Sequence, residues 1–450
     1  MTDSSRIHRI GPGDLTELVS DVGPAPLHAG AAIFLAGADE VEPAALRAVL
    51  AERLGRIRRL RQRLIEPARG LGRPYWLDDE HFDIDAHLSQ LRCPAPGDRD
   101  AAVTLAVDAL LRPLPRSRPL WRALVVTDIA DPRGHTAVVV VMHHVLADGI
   151  GGLSILAHLV DGTDLPEVAH DGVPDSVRPR AGELFVDNLI GRMRVLRRVP
   201  RAVTRLPAAW GELGGGGGGP APRCSLNAPT GVHRALRTVE VDLDAVRRAG
   251  RRWGATVNDV LLVAVGGALA AILRARGEFL PELVVSVPVS ARTALTRGQP
   301  GNQVGVMPVR VPLAGSLPQR LTSVARTTRT QKSTVRGLSA MLTNPLFRML
   351  AAVGMFRWFV NRQHLVNSFL SDLPGPPSPL TVADAPVTSI VPLIVATGNI
   401  GVAFAALSYA GTLTVTVIAD SGIVPEIDDI AEALKEQFRA VLASGGGPAG

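Results

Sequence analysis

Thr136-Ala137-Val138-Val139-Val140-Val141-Met142-His143-His144-Val145-Leu146-Ala147-Asp148-Gly149 is the stretch that decides the fold. Its opening residues are β-branched or apolar at nearly every position, the composition of a strand buried on both faces. That strand runs straight into two histidines, an aspartate and a glycine, followed by Ile150-Gly151-Gly152 and a helix-like segment at 153–160. A strand end holds a side chain on a rigid base at the rim of a sheet, while glycines let the backbone turn sharply and a substrate come close. The stretch therefore points both to an α/β architecture and to the place where chemistry is expected.

Working outward, the upstream sequence shows a helical pattern over 41–64, an extended segment near 75–77, a helix over 101–111 and a short apolar strand at 124–128. Downstream, residues 200–229 turn to Pro, Ala and Gly, with a run of glycines from Gly214 to Gly219, which regular structure holds only at a large entropic cost. This composition reads as a linker, dividing the chain into a first domain at 1–199, a linker at 200–229 and a second domain at 230–450. The second domain offers strands near 236–241, 283–287 and 304–311, and helices at 243–253 and 258–274, the latter with its start marked by Asn258 and Asp259. It closes with strands at 402–409 and 412–419, joined at Ala410-Gly411, and an amphipathic helix at 427–442.

A chain of 450 residues that is 46% hydrophobic and 20% charged can bury two cores. The formal charge of +6 suits a nucleic acid, an anionic membrane or a phosphorylated cofactor. With aromatics at 4%, no zinc or helix-turn-helix signature and arginines spread along the chain, nucleic acid is not the expected partner. Cys93 and Cys224 supply neither a disulfide framework nor a thiolate metal site. Residues 1–14 lack an apolar signal region and no long uncharged apolar run follows, so a cytoplasmic protein, soluble or peripheral, is expected. Residues 184–210 mix apolar side chains with Arg192, Arg194, Arg197, Arg198, Arg201 and Arg205, which fits a basic interfacial helix broken at Pro200. Residues 345–360 are strongly apolar. Both segments also read as helices packed on the protein with arginine heads in water.

Imidazole removes a proton from an alcohol efficiently near neutral pH, which makes His144 the candidate general base. Asp148, four residues on, either orients that ring or pairs with a distant arginine and so fixes the loop. His143 reads as structural, packed below the site and donating to a carbonyl. A metal set of His143, His144 and Asp148 lacks a further His or Cys at suitable spacing. The chain has no G-x-S-x-G elbow, which favours direct transfer over an acyl-enzyme. The Asn258 amide at a helix start either donates to a thioester or oxyanion or simply caps the helix.

An ordered set of motifs accompanies the central one: Pro119-Leu120-Trp121, Ser225-Leu226-Asn227, Thr256-Val257-Asn258-Asp259, Pro288-Val289-Ser290-Ala291-Arg292, Gly301-Asn302-Gln303-Val304-Gly305 and Ser408-Tyr409-Ala410-Gly411. Over nearly its whole length the chain resembles the bacterial wax ester synthase and diacylglycerol acyltransferase family, within the coenzyme A-dependent acyltransferase superfamily. The resemblance implies two chloramphenicol acetyltransferase-like α/β domains, with mixed sheets flanked by helices and an active-site tunnel at their interface. It implies His144 as base within the His143-to-Gly149 motif, Asp148 as a structural partner of Arg292, and support from Asn258, Asp259 and Asn302. The implied reaction carries a fatty acyl group from acyl-CoA to a lipid hydroxyl, of diacylglycerol or a fatty alcohol, with no cofactor beyond that cosubstrate. The implied setting is the inner membrane face or a lipid droplet. Two other readings are a carrier-protein-dependent acyltransferase or condensation enzyme, and a catalytically silent lipid-droplet-binding protein. The sequence departs from the family pattern at Pro115, commonly Asp, and at Ser371-Asp372-Leu373, commonly Thr-Asn-Val; Pro26-Leu27-His28 is the only clear remnant of an N-terminal motif.

Overall fold

Successive side chains of a strand point to opposite faces, and over 136–143 both faces are covered. Val138, Val140 and Met142 join one core with Leu46, Leu50 and Leu54, whereas Val139 and Val141 join another with Phe34, Ala106 and Leu110. The computed structural model in which these contacts are seen describes residues 7–36, 42–131, 133–146, 149–162, 178–203, 219–290, 304–334 and 340–444.

The first half contains α1 (Pro12–Ser20), β1 (His28–Leu35), α2 (Pro43–Arg56), β2 (Gln62–Ile65), β3 (Tyr75–Asp78) and β4 (Leu88–Arg92). It continues with α3 (Arg99–Leu111), β5 (Trp121–Thr127), β6 (Thr136–His143), α4 (Gly149–Ala157) and α5 (Ala181–Val203). The second half opens with β7 (Arg234–Asp242), α6 (Leu243–Arg251), α7 (Val257–Ala275), β8 (Glu282–Ser290), β9 (Val304–Pro312) and α8 (Leu317–Thr334). Then come α9 (Ala340–Ala352), α10 (Phe356–Val360), β10 (Ser368–Pro374), β11 (Thr381–Val382) and β12 (Ala385–Leu393). The chain ends on β13 (Val402–Tyr409), β14 (Thr412–Asp420) and α11 (Ile427–Ser444).

Two six-stranded sheets result, ordered β11-β12-β1-β6-β5-β4 and β7-β14-β13-β10-β8-β9, with β2 and β3 as a separate pair. Both are mixed: β4 runs parallel to β5, and β10 runs parallel to both β8 and β13. The sheets share a core in which Phe34, Val139 and Val141 of the first meet Leu236, Ala403 and Ile418 of the second. A further core lies beneath the second sheet, where α7 is buried almost throughout from Val260 to Leu273. By length and apolarity α7 would cross a membrane, but those side chains are committed to this core.

Three expectations are corrected. The pattern over 41–64 is not one helix: α2 ends at Arg56, and Gln62–Ile65 alternates buried and half-buried residues as the strand paired to β3. The second half is not confined to its own domain, because β12 pairs with β1 from Gly30↔Leu393 to Leu35↔Val387 and so covers what would be an open edge of the first sheet. The basic helix is not broken at Pro200: α5 continues to Val203, a proline removing one i→i−4 hydrogen bond while the other turns remain. Residues 204–218, which hold most of the glycine run, lie outside the described residues.

Candidate active site

Antiparallel pairing of β1 with β6 sets His28 opposite His143, bringing the start of one strand to the end of the other. The chain entering β1 then folds over the motif. Asp21 Oδ1 accepts the Leu27 N–H at 2.9 Å, and the Leu27 carbonyl accepts the His144 N–H at 3.1 Å. Asp21 Oδ2 lies 3.2 Å from His143 Nε2, and the Val145 N–H donates to His143 Nδ1 at 3.0 Å. A backbone N–H can only donate, so Nδ1 is the acceptor and the His143 ring proton sits on Nε2, aimed at Asp21. His143 is buried, as the sequence suggested, but its partner is a carboxylate rather than a carbonyl.

Burial alone would raise the Asp21 carboxyl. The His143 hydrogen bond, the Leu27 N–H and the nearby charges of His143 and Arg116 outweigh it and hold Asp21 below the usual carboxylate range. Behind His143, the ring of His28 meets it edge-on at 5.9 Å and donates from Nδ1 to the Leu110 carbonyl at 2.7 Å. Burial pushes the His28 imidazole down to about 4, so it is neutral at physiological pH. A neutral His28 ring thus underlies His143 and the loop. Above it His144 is half-buried, its backbone held by Leu27. Gly149 opens α4; Asp148, Arg292 and Asn302 lie outside the described residues.

In the second lobe the structure decides between the two readings of Asn258 as far as the cap is concerned. Thr256, not Asn258, is the N-cap of α7: its hydroxyl accepts the Asp259 N–H at 3.3 Å, while the Asp259 carboxylate accepts the Thr256 N–H at 2.8 Å. This reciprocal box satisfies the orphan donors at the helix start without help from Asn258. Asp259 is fully buried and also accepts the Thr328 hydroxyl at 2.6 Å. The Asn258 Nδ2 is left buried with no hydrogen-bond partner among the described residues. An unsatisfied buried donor costs about 1–3 kcal/mol, a penalty that an incoming acceptor would remove.

Elements of both halves enclose a cavity of about 280 Å³. One wall is formed by Thr16, Glu17 and Ser20 of α1 with Leu27, and the other by Phe347, Phe356 and Val360 of α9 and α10. Phe369 of β10 and the Thr397-Gly398 turn also line it. Leu27 belongs both to this wall and to the clamp on His144, so the cavity abuts the motif loop. Gly398 is required where it stands: its φ is +70°, and a Cβ there would meet the Val360 carbonyl oxygen at 2.8 Å. The Ser225-Leu226-Asn227 segment braces this wall. Asn227 donates to the carbonyls of Asn367 and Asn399, and nearby Thr230 donates to that of Gly398.

Of the residues singled out from sequence, His143 and His144 are brought together on one loop, and Asn258 and Asp259 on one helix start. Asp21 escaped the sequence reading. It lies 122 residues before its partner, and the only signal near it is Pro26-Leu27-His28.

Residues 11–261 match the wax ester synthase/diacylglycerol acyltransferase catalytic domain and residues 300–441 the WS/DGAT C-terminal domain. Among curated proteins, a probable diacylglycerol O-acyltransferase of Mycobacterium tuberculosis is 29% identical over 407 residues, covering 88% of this chain and 87% of that protein. A second, putative diacylglycerol O-acyltransferase of the same species is 30% identical over 408 residues, covering 85% and 79%. Among solved structures, the wax ester synthase/diacylglycerol acyltransferase of Marinobacter aquaeolei VT8 superposes with a TM-score of 0.70 at 20% identity, over 98% of this chain and 100% of that one. The first condensation domain of the CDA synthetase reaches 0.63 at 18% identity, over 100% and 98%, a likeness of fold.

Proposed function

We infer, for a chain that belongs to the wax ester synthase/diacylglycerol acyltransferase family, that this acyltransferase moves a fatty acyl group from acyl-CoA directly to a lipid hydroxyl with His144 as general base. His144 takes the proton of the acceptor hydroxyl as its oxygen attacks the thioester carbonyl. The tetrahedral oxyanion then collapses, the carbon–sulfur bond breaks, and the departing thiolate recovers a proton from the His144 imidazolium. The ester and free coenzyme A leave, and the base is restored without a covalent enzyme intermediate. The reaction so written calls on no cofactor beyond the acyl-CoA cosubstrate.

Asn258 is the donor to the oxyanion in this scheme, seated by the buried box that Asp259 closes with Thr256. Asp148 and Arg292 hold the loop as a structural pair, and Asn302 supports the second lobe's side of the site. His143 takes no part in proton transfer, because its proton is engaged by Asp21 and its other nitrogen by a backbone N–H. The acceptor is diacylglycerol or a fatty alcohol, the substrates named for the family, and it enters a tunnel between the lobes of which the phenylalanine-lined cavity is part. The enzyme works at the cytoplasmic face of a membrane or on a lipid droplet.

The single observation that carries this reading is half-buried His144 pinned by its backbone to Leu27, a residue that also lines the cavity between the halves. Radiolabelled acyl-CoA offered with diacylglycerol, a fatty alcohol and a carrier-protein thioester control tests it. Transfer from acyl-CoA to a lipid hydroxyl is the expected outcome, and His144→Ala is expected to lower it by roughly 100- to 10,000-fold with an unchanged melting curve. Full activity in that variant, or transfer only from the carrier protein, rejects the mechanism.

A further inference from the structure

Two apolar faces of the molecule point to water, one on α5 and one at the α9–α10 corner that walls the cavity. On α5 the inward side is polar: Asp187 pairs with Arg9 at 2.5 Å and Asn188 donates to the Gly70 carbonyl at 2.9 Å, beside buried Leu184. The outward side carries Phe185, Val186, Leu189, Ile190 and Met193, all exposed, Phe185 by 56%. For a helix resting on a protein surface this is amphipathicity the wrong way round. At the α9–α10 corner, Phe347 and Phe356 turn into the cavity, whereas Leu346, Met349, Val353, Met355 and Trp358 are exposed.

These faces adjoin. Arg9 ties α5 to the carbonyl of Leu71, and α1, which follows Arg9, packs on α9. Arg73 feels the charge of Arg348 on α9 as well as that of Arg9; burial first, then these two cations, lowers its guanidinium pKa. Arg357 both lines the cavity and is exposed, which places the cavity mouth on the same side. Cations rim the apolar surface: Arg192, Arg357 and Arg362 are exposed, Arg362 lying 5.6 Å from the Trp358 ring centre.

We propose that α5 and the α9–α10 corner insert together into an anionic lipid surface, with the cavity mouth at Arg357 turned toward the lipid, so that the acceptor enters without crossing water. Exposed apolar side chains ringed by arginine fit a bilayer interface rich in acidic headgroups. A second copy of the chain would set the same arginines against each other. The role of the cargo rests on the acyltransferase reading, while the docking does not.

Flotation of the full chain with phosphatidylglycerol/phosphatidylcholine vesicles tests the surface, using Leu189→Glu/Ile190→Glu on α5 and Met349→Glu/Trp358→Glu at the corner. The wild-type chain is expected to float, less so on phosphatidylcholine alone, and each pair of substitutions to weaken binding at least about tenfold. Transfer to a short-chain, water-soluble alcohol should persist in both variants while transfer to a vesicle-embedded acceptor falls with binding. Undiminished flotation of both variants overturns the proposal, as does a wild-type dimer that these substitutions dissociate and that binds no vesicles. If binding behaves as expected but the wild-type chain acylates no alcohol, the surface stands and the catalytic reading fails.

Discussion

Asp259 and Asp21 are both well-shielded carboxylates whose hydrogen bonds seat a candidate functional side chain, Asn258 in one lobe and His144 in the other. They achieve it over different distances. Asp259 closes its ring on Thr256, three residues away on the same helix start, so the position of Asn258 is set as soon as α7 forms. Asp21 reaches His143 across 122 residues and Leu27 across 6, and its clamp exists only once β1 has paired with β6. The donor side of the site is therefore preset by local chemistry, and the base side is assembled by the sheet.

The largest effect expected from probing this difference is at the preset side. Asn258→Ala should lower kcat by about 100- to 1,000-fold, the range for loss of one oxyanion donor, and leave stability unchanged or slightly raised, because an unsatisfied buried donor is removed. Thr256→Ala provides the contrast, losing about 1 kcal/mol of stability through the cap. Steady-state kinetics and denaturant unfolding on the two variants separate the roles. An Asn258→Ala enzyme that is destabilised but fully active would return Asn258 to a structural part.

At the assembled side the expected effect is smaller and confined to turnover. In Asp21→Asn the amide oxygen can keep the Leu27 N–H, but its NH₂ then faces the His143 Nε2–H, donor against donor. His143 cannot escape by moving its proton, since Val145 holds Nδ1 as acceptor. The His144 loop should shift by a fraction of an ångström to about 1 Å, lowering kcat by about 10- to 100-fold with little change in KM. Asp21→Glu, which restores the acceptor, should recover part of that loss. An equal rise in KM in both variants would mean that Asp21 shapes a binding wall instead of aiming the base.

The same contrast governs how much of the molecule was legible. The buried strand with its motif loop, α3, α7 and the β13–β14 hairpin carry their signals within a few residues: β-branched runs, apolar periodicity, a turn pair. The Thr256-to-Asp259 box is equally local, and the sequence marks this helix start at Asn258 and Asp259, slightly late, because helix starts are blurred in sequence by a residue or two. What escaped depends on partners far away in the chain. β1 contains Ala29-Gly30-Ala31-Ala32 and reads weakly as a strand, yet it is central to its sheet because β6 and β12 flank it. Gly30 there is a packing necessity, as a Cβ would fall 2.1 Å from the Val140 carbonyl oxygen. β12 joins the first lobe from beyond residue 380, a crossing that no composition shift announces. Asp21 is one carboxylate among many until that sheet is built.

The smallest net effect concerns pH, where buried His28 and Asp372 pull in opposite directions and His87, its imidazole also pushed down by burial, acts on the side of His28. His28 titrates near 4 in the fold against 6.5 in the free state, so between those values the unfolded chain binds a proton the native one refuses. Stability from this group is full above about 6.5 and drains away as pH falls toward 4, by up to on the order of 3 kcal/mol. Asp372, which stands where the family commonly has Asn, is raised to about 6 from 3.8 by burial, with the Lys332 charge acting against the rise. There the native state binds the extra proton, so stability increases as pH falls through the same range. Asp21, whose pKa is lowered, adds its own loss only below about 3.8 and stays clear of this window. Relative to the wild-type chain, the acid loss of unfolding free energy between pH 6.5 and 4 should accordingly be steeper in Asp372→Asn and shallower in His28→Gln, where His87 still contributes. Denaturant melts across that range decide it, and identical slopes in wild type and Asp372→Asn would show that the departure from the family pattern carries no linked proton.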